Sequence, residues 1–345
     1  MKVIYTPDHL HHDITTEVEW GVVMGNFEKP VRAEVIRSRL AADERFELIG
    51  PTDHGRAAVE AVHEPAMVAF LERVWREFQA IEPRREIIGD SFLHPALREG
   101  MGDAPEPRDA TAAIGYWSFE TMTPIVEGTY RAARAAADTA LSAADAVLGG
   151  ESSAYALCRP PGHHAPRAAF GGYCFFNNAA VTAQALIDAG VARVTVLDVD
   201  YHHGNGTQQI FYRRGDVQYA SLHGDPHRAY PYFAGHASET GAGPGLGTTV
   251  NVPLPAGTDN ESYLTELDRV IDAIDAFDPG VIVVSLGVDT FGLDPIADFA
   301  LTTDTYRIHA RRVRALGRPV VVVQEGGYAV RELGDNVWTW LDGLL

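Results

Sequence analysis

The chain has 345 residues, 46% of them hydrophobic and 22% charged, enough apolar surface to build one large α/β domain. Lysine and arginine number 28 against 47 aspartates and glutamates, a formal net charge of -19, which repels phosphate and argues against a nucleic-acid partner. No apolar run approaches the roughly 20 residues that span a bilayer, and the opening MKVIYTPDHLHH lacks the apolar centre of a signal peptide, so a cytoplasmic protein with no membrane partner is expected.

In chain order, VRAEVIRSRLAADERF and AMVAFLERVWREFQAI place apolar residues at helical spacing. From Pro83 to Tyr116 the sequence is rich in Pro, Gly, Asp and Arg and weakly patterned; a loop of that length is expected to be functional or to form an interface. TYRAARAAADTALSAADAVLGG reads as an alanine-rich helix stopped by Gly149 and Gly150, and SAYALCRPPGHH as a short strand that breaks at Pro160 and Pro161. Then NNAAVTAQALIDAG reads as a helix and ARVTVLDVD as a strand, while DVQYASLHG and TTVNVPL look extended. DNESYLTELDRVIDAIDAF reads as a helix opened by Asp259, and GVIVVSLGVD as a strand. The pattern repeats in TTDTYRIHARRVRALG and PVVVVQEGGY. Alternation of this kind predicts a single domain over 1–345, with an open, mostly parallel sheet of about eight strands and helices on both faces. Cys158 and Cys174, the two cysteines of the chain, are too few for a disulfide framework or a thiolate metal site and are expected to be reduced core thiols.

Polar groups gather where these strands end. The stretch VTVLDVDYHHGNG runs from a buried-strand pattern straight into Asp198, Asp200, His202 and His203. Unpaired buried charge is costly, so a cation is the leading candidate for compensating the carboxylates. Asp200 and His202 stand at i and i+2, on one side of an extended segment, and Asp289 follows another apolar strand. Two carboxylates and one imidazole leave a coordination position open, the arrangement of a catalytic zinc site; a thiol-free set of this kind also accepts Fe(II), Mn or Co. The competing explanation is a hydrogen-bonded polar turn with no metal, and each further junction that joins the cluster weakens it.

RPPGHHAP sets His163 and His164 in a stiff turn. One imidazole near neutral pKa can accept a proton from attacking water and return it to a departing amine. Asp198 and Asn205 flank the ligand pair and are available to fix the histidine tautomers. QEGGY puts Tyr328 after two glycines at a strand end, where a phenol could stabilise a developing oxyanion.

Together, RPPGHH, LDVDYHHGNGT, SLHGDP, GVDTFGLDP and EGGY resemble the zinc-dependent deacetylase superfamily, which includes histone deacetylases and acetylpolyamine amidohydrolases. The resemblance runs in order over nearly the whole chain from FEKPVRAEVI onward and implies an arginase/deacetylase-type fold. It implies Asp200, His202 and Asp289 as metal ligands, His164 as general base and acid, and His163 as a mainly electrostatic histidine. Asp198 and Asn205 become the histidine partners and Tyr328 the carbonyl-polarising phenol. It further implies a narrow apolar channel walled by Tyr173 and Phe233, with the Gly172 carbonyl facing the substrate amide. Two structural potassium sites are implied as well, an inner one at Asp198, Asp200, His202, Ser221 and Leu222 and an outer one at Phe211, Arg214 and Val217.

Within that superfamily, SLHGDPHRAYPYFAGHASETGAGPG, the DPI tripeptide ending at Ile296, TTEVEWG with Glu17 and the long loop before IGYWSFE are similar to the acetylpolyamine amidohydrolase branch. In that branch the loop, here about 83–118, helps form a homodimer and narrows the channel mouth, and acids such as Glu17 attract distal ammonium groups. The chain departs from the branch at Met122, which stands where an acid is expected, with Glu120 nearby. The implied activity is release of acetate from small N-acetylated amines, acetylpolyamines or acetylated diamines first. The alternatives are deacetylation of acetyl-lysine or of a specialised N-acyl metabolite, and an inactive relative that only binds acylated ligands. An arginase-like two-metal site fits less well, because GNG after His203 brings no second carboxylate cluster.

Overall fold

Five valine-rich or alanine-rich segments line up as the middle of one sheet, because β-branched side chains fill a surface covered on both faces. A computed structural model describes all residues, Met1–Leu345. In chain order the strands are β1 (Lys2–Ile4), β2 (Thr16–Glu19), β3 (Val22–Gly25), β4 (Glu47–Ile49), β5 (Ser153–Ala156), β6 (Val194–Asp198), β7 (Val217–Gly224), β8 (Thr249–Leu254), β9 (Val281–Leu286) and β10 (Val320–Gln324). Eight form a parallel sheet in the order β4-β1-β5-β10-β9-β6-β7-β8, and β2 pairs with β3 as a separate antiparallel hairpin. The predicted α/β architecture is therefore present, with the expected eight strands.

The helices are α1 (Val31–Ala41), α2 (Gly55–Glu60), α3 (Pro65–Ile81), α4 (Ala110–Trp117), α5 (Thr129–Leu148), α6 (Asn178–Asp188), α7 (Asn205–Phe211), α8 (Asn260–Phe277), α9 (Thr303–Ala315) and α10 (Val330–Leu344). On one face α1, α8, α9 and α10 bury Ile36, Leu267, Val313 and Trp340 against alternate sheet residues such as Val284 and Val322. On the other face the alanines of α5 and α6 pack with Val283 and Val323. Alanine on both helices lets them approach each other and the sheet closely. A satellite core holds α3 and α4 together with Phe170, Phe175 and Phe176. No helix is long and apolar enough to cross a membrane.

Residues 83–118, expected as a long loop at the channel mouth, are partly ordered. Ile87 bridges Ile125, Pro95–Arg98 forms a single 3-10 turn, and Asp109 caps α4 by accepting from the Thr111 amide at 2.8 Å. Sequence periodicity does not show α4 because most of its eight residues are buried; a helix covered on nearly all sides has no polar stripe.

Candidate active site

The four strands at the centre of the sheet, β5-β10-β9-β6, all end on the same edge, where open α/β sheets bind ligands. Each contributes one loop. After β6 come Asp200 and His202, and after β9 comes Asp289; ligand atoms of these three lie within 4.8 Å of one another. Nδ1 of His202 is 3.0 Å from Asp289 Oδ2 and 3.3 Å from Asp200 Oδ1. The remaining carboxylate oxygens are held by backbone donors: Gly326 N–H to Asp200 Oδ2 at 2.7 Å and Tyr201 N–H to Asp289 Oδ1 at 2.8 Å. A Cβ at Gly326 would lie 2.5 Å from both carboxylates, so only glycine lets that strand end come so close.

All three groups are fully buried or nearly so. Without a cation they must share protons. Burial and the Asp200 charge push the Asp289 carboxyl up to about 7. For His202, burial alone would lower the pKa, but the Asp200 and Asp289 carboxylates outweigh it and raise it to about 10. Two carboxylates and one imidazole neutralise a divalent ion, and the donor set suits zinc.

After β5, the turn carrying His163 and His164 lies beside these ligands. His163 Nδ1–H donates to Asp198 Oδ2 at 3.1 Å, and its Nε2 is 3.9 Å from Asp200 Oδ1. Burial alone would lower this imidazole, but Asp200 and Asp198 overcome it and push its pKa up to about 10. His164 behaves oppositely: burial, together with its cationic neighbours His163 and His202, holds it well below the ordinary histidine value. Its Nδ1–H donates to Asn205 Oδ1 at 2.7 Å, which leaves Nε2 as an acceptor. The environment thus drives two adjacent imidazoles apart, one cationic and one neutral.

Asp198 is compensated inside the protein. Besides His163, the Tyr219 hydroxyl donates to it at 3.1 Å and the Asp200 amide at 3.2 Å. Ser221 stands opposite Asp198 in the β6–β7 register, with its hydroxyl 2.7 Å from His223 Nδ1, and Leu222 follows it. Phe211, Arg214 and Val217 fall at the turn from α7 into β7, where Arg214 is paired with Asp216 at 2.7 Å.

The β10 loop supplies Tyr328, whose ring lies 4.5 Å under the Arg32 guanidinium. Arg32 also donates to the carbonyls of Glu325 and Gly327 at 2.7 Å each. The Tyr328 amide donates to Asp294 Oδ2 at 2.7 Å, and the opposite oxygen of Asp294 receives the amide of Ile296. The DPI segment and the phenol are therefore one unit.

These groups open into a cavity of about 810 Å³, large enough for a small organic ligand. Gly172 and Tyr173 line it at positive φ of 58° and 66°. A Cβ at Gly172 would come within 2.4 Å of the His164 ring, so the turn needs glycine on both counts. Phe233 lines the cavity but is 90% exposed at the rim. The ring packed edge-on against His164, at 4.9 Å between centroids, belongs instead to Tyr230, which sequence reasoning missed. Glu17 is only 1% exposed and accepts from Tyr173 Oη at 2.8 Å and Asn26 Nδ2 at 2.7 Å. Burial, reinforced by Glu19 and Glu120, pushes its carboxyl up to about 7.

Glu120 and Met122 both line the cavity. The Glu120 carboxylate, however, is engaged by the Gly172 amide at 3.0 Å, the Met122 amide and the Thr123 hydroxyl. It braces the Gly172–Tyr173 turn through two backbone amides and one hydroxyl. Glu19, two residues beyond Glu17 on β2, also lines the cavity. Alternation along β2 puts both glutamates on one face; sequence reasoning passed over Glu19 because a four-residue strand shows almost no period. None of residues 83–118 lines the cavity of a single chain. Its mouth is bounded by the β2–β3 hairpin, by 119–122, by 228–233 and by 295–298.

A family model of the histone deacetylase domain matches residues 26–344. The chain belongs to the histone deacetylase family. Within this hydrolase family, it is 45% identical over 345 residues to the acetylpolyamine amidohydrolase of Mycoplana ramosa, covering 100% of this chain and 99% of that protein. Acetylpolyamine amidohydrolase 1 of Pseudomonas aeruginosa is 42% identical over 343 residues, 99% of this chain and 98% of the relative. The crystal structure of an acetylpolyamine aminohydrolase from Burkholderia pseudomallei superposes with a TM-score of 0.94 at 39% identity, covering 100% of this chain and 98% of that one. The expected membership of the acetylpolyamine amidohydrolase branch and its fold are thereby shown.

Proposed function

We propose that this protein is a divalent-metal-dependent amidohydrolase that releases acetate from small N-acetylated amines, with acetylpolyamines and acetylated diamines the first substrates to consider. The observation that carries the reading is the convergence, in one cavity, of a three-ligand carboxylate–histidine set, a neutral histidine anchored at Asn205 and a phenol. Full-length relatives named for acetylpolyamines support the substrate class.

Zinc bound by Asp200, His202 and Asp289 would supply Lewis-acid polarisation of the acyl carbonyl and a water of lowered pKa. His164 Nε2 takes the proton of the attacking water and hands it to the leaving nitrogen. Tyr328 donates a hydrogen bond to the oxygen that gains charge, and His163, hydrogen-bonded to Asp198, contributes mainly electrostatically. Tyr173 and Tyr230 would wall the acyl amide and keep bulk water out, and the Gly172 carbonyl would accept from the amide N–H.

The same reading includes the inner and outer potassium sites and a homodimer. The exposed apolar side chains Leu93, Leu97 and Met101 on the 83–118 segment support an interface there, through which a partner's loop could narrow the mouth. Metal-free protein is expected to bind one divalent ion per chain by calorimetry, and Asp289→Ala to abolish that binding. Undiminished binding by the variant would remove Asp289 from the ligand set.

Acetate release from acetylputrescine, acetylcadaverine, acetylspermidine, an acetyl-lysine peptide and uncharged N-acetyl amines tests the substrate class. Cationic amines are expected to be preferred; a preference for uncharged amides would favour the second reading, a specialised N-acyl metabolite, for which apolar Met122 on the cavity wall speaks. Strand geometry puts Glu19 about 7 Å beyond Glu17 towards the rim, close to the spacing of successive ammonium groups in a triamine. Glu19→Gln is accordingly expected to raise KM for acetylspermidine about two- to five-fold at low salt with kcat unchanged. An equal rise for an uncharged amide would show that Glu19 does not read charge.

A further inference from the structure

We infer that Glu325 is a positioning residue that sets the spacing between the two histidines and the phenol; the inference rests on the deacetylase reading above. Glu325 follows Gln324, the last residue of β10 after its four valines, and its side chain is 0% exposed. Oε2 accepts from the backbone amides of Gly162 at 2.7 Å and His163 at 3.2 Å, and Oε1 from the Ser285 hydroxyl at 3.3 Å. Its own amide donates to Leu286 O at 2.9 Å. One residue thus ties the loop after β5, which carries His163 and His164, to the end of β9 and to the turn that carries Tyr328 three residues later.

Nothing else on β10 grips the Gly162–His163 backbone from this side, and the two amides would otherwise be buried donors without partners. Glu325 is not itself part of the cavity lining and meets it through the backbone of the histidine turn. Its effect on the reaction is therefore exerted through the position of the imidazoles relative to the phenol. Displacing a reacting group by about 1 Å can lower a rate by as much as 10²-fold.

Two variants separate geometry from charge. Glu325→Gln removes the charge but keeps the contacts, since the amide oxygen can accept both N–H groups while the NH2 donates to Ser285. Glu325→Asp keeps the charge but withdraws the acceptor by about one C–C bond, ~1.5 Å. With metal content matched, kcat for acetate release is expected to fall roughly 10- to 100-fold in Glu325→Asp with KM within two-fold, and Glu325→Gln to recover kcat to within a few-fold of wild type. Amide exchange at Gly162 and His163 in metal-free protein is expected to speed up in Glu325→Asp and to stay slow in Glu325→Gln. A wild-type kcat in Glu325→Asp, a Gln variant as slow as the Asp variant, or unchanged exchange in Glu325→Asp would overturn the inference. Should wild-type protein release no acetate from any acetylated amine, the proposed activity fails, and the exchange comparison still decides whether Glu325 holds the turn.

Discussion

His164→Ala is expected to lower kcat for acetate release by roughly 10²- to 10⁴-fold, the range of a single general acid–base group, while the protein still binds its metal. The size of the effect follows from the role proposed for His164, which would carry the proton in both directions. Its neutral state is built in: burial lowers its pKa, and Asn205 fixes the proton on Nδ1 so that Nε2 is the free base. His163 differs in that its Nδ1–H is committed to the Asp198 carboxylate. Rates measured on metal-matched samples check the prediction. A His164→Ala variant with kcat within ten-fold of wild type would transfer the base role elsewhere, and His163→Ala is the variant to compare.

Tyr328→Phe is expected to lower kcat by about 10²- to 10³-fold, the loss seen when one preorganised oxyanion donor is removed, with little change in KM for ground-state amide. Phenylalanine retains the ring under Arg32 and the backbone link to Asp294, so the change isolates the hydroxyl. Unaltered kcat would mean that the oxyanion is stabilised without the phenol. A rise in KM alone would make Tyr328 a binding group.

The strand ends that carry these groups were readable because they break a pattern. Asp198 and Asp200 interrupt a buried-strand run, and Asp289 and Tyr328 repeat the anomaly after β9 and β10. The same logic applied to VVVVQE would have found Glu325, an acid one residue past a run of four valines, but the adjoining GGY drew the reading on to the tyrosine. Other features left no local signal. β1 and β4 are three residues long, too short for periodicity, and they exist because β5 offers an edge to β1 and β1 in turn offers one to β4. Tyr230 and Phe233 belong to one aromatic segment, YPYF, and only the fold decides that the first turns in to His164 while the second remains at the rim. The commitment of Glu120 to backbone amides could not be foreseen either, since it depends on residues 119–123 lying beside the Gly172 turn.

The order of the central strands has a consequence for biosynthesis. β5 and β6 lie on opposite sides of β10 and β9 and never pair with each other, although β9 and β10 are translated after every other strand. Until roughly the last fifth of the chain leaves the ribosome, the strands available can form at most two half-sheets, β4-β1-β5 and β6-β7-β8, each with its buried central edge unpaired. Insertion of β9 and β10 closes both edges and in the same event delivers Asp289, Glu325 and Tyr328 to the histidines and to Asp200. Assembly of the proposed site is therefore tied to completion of the fold, and chains cut short before β9 would keep both edges open and lack Asp289 and Tyr328.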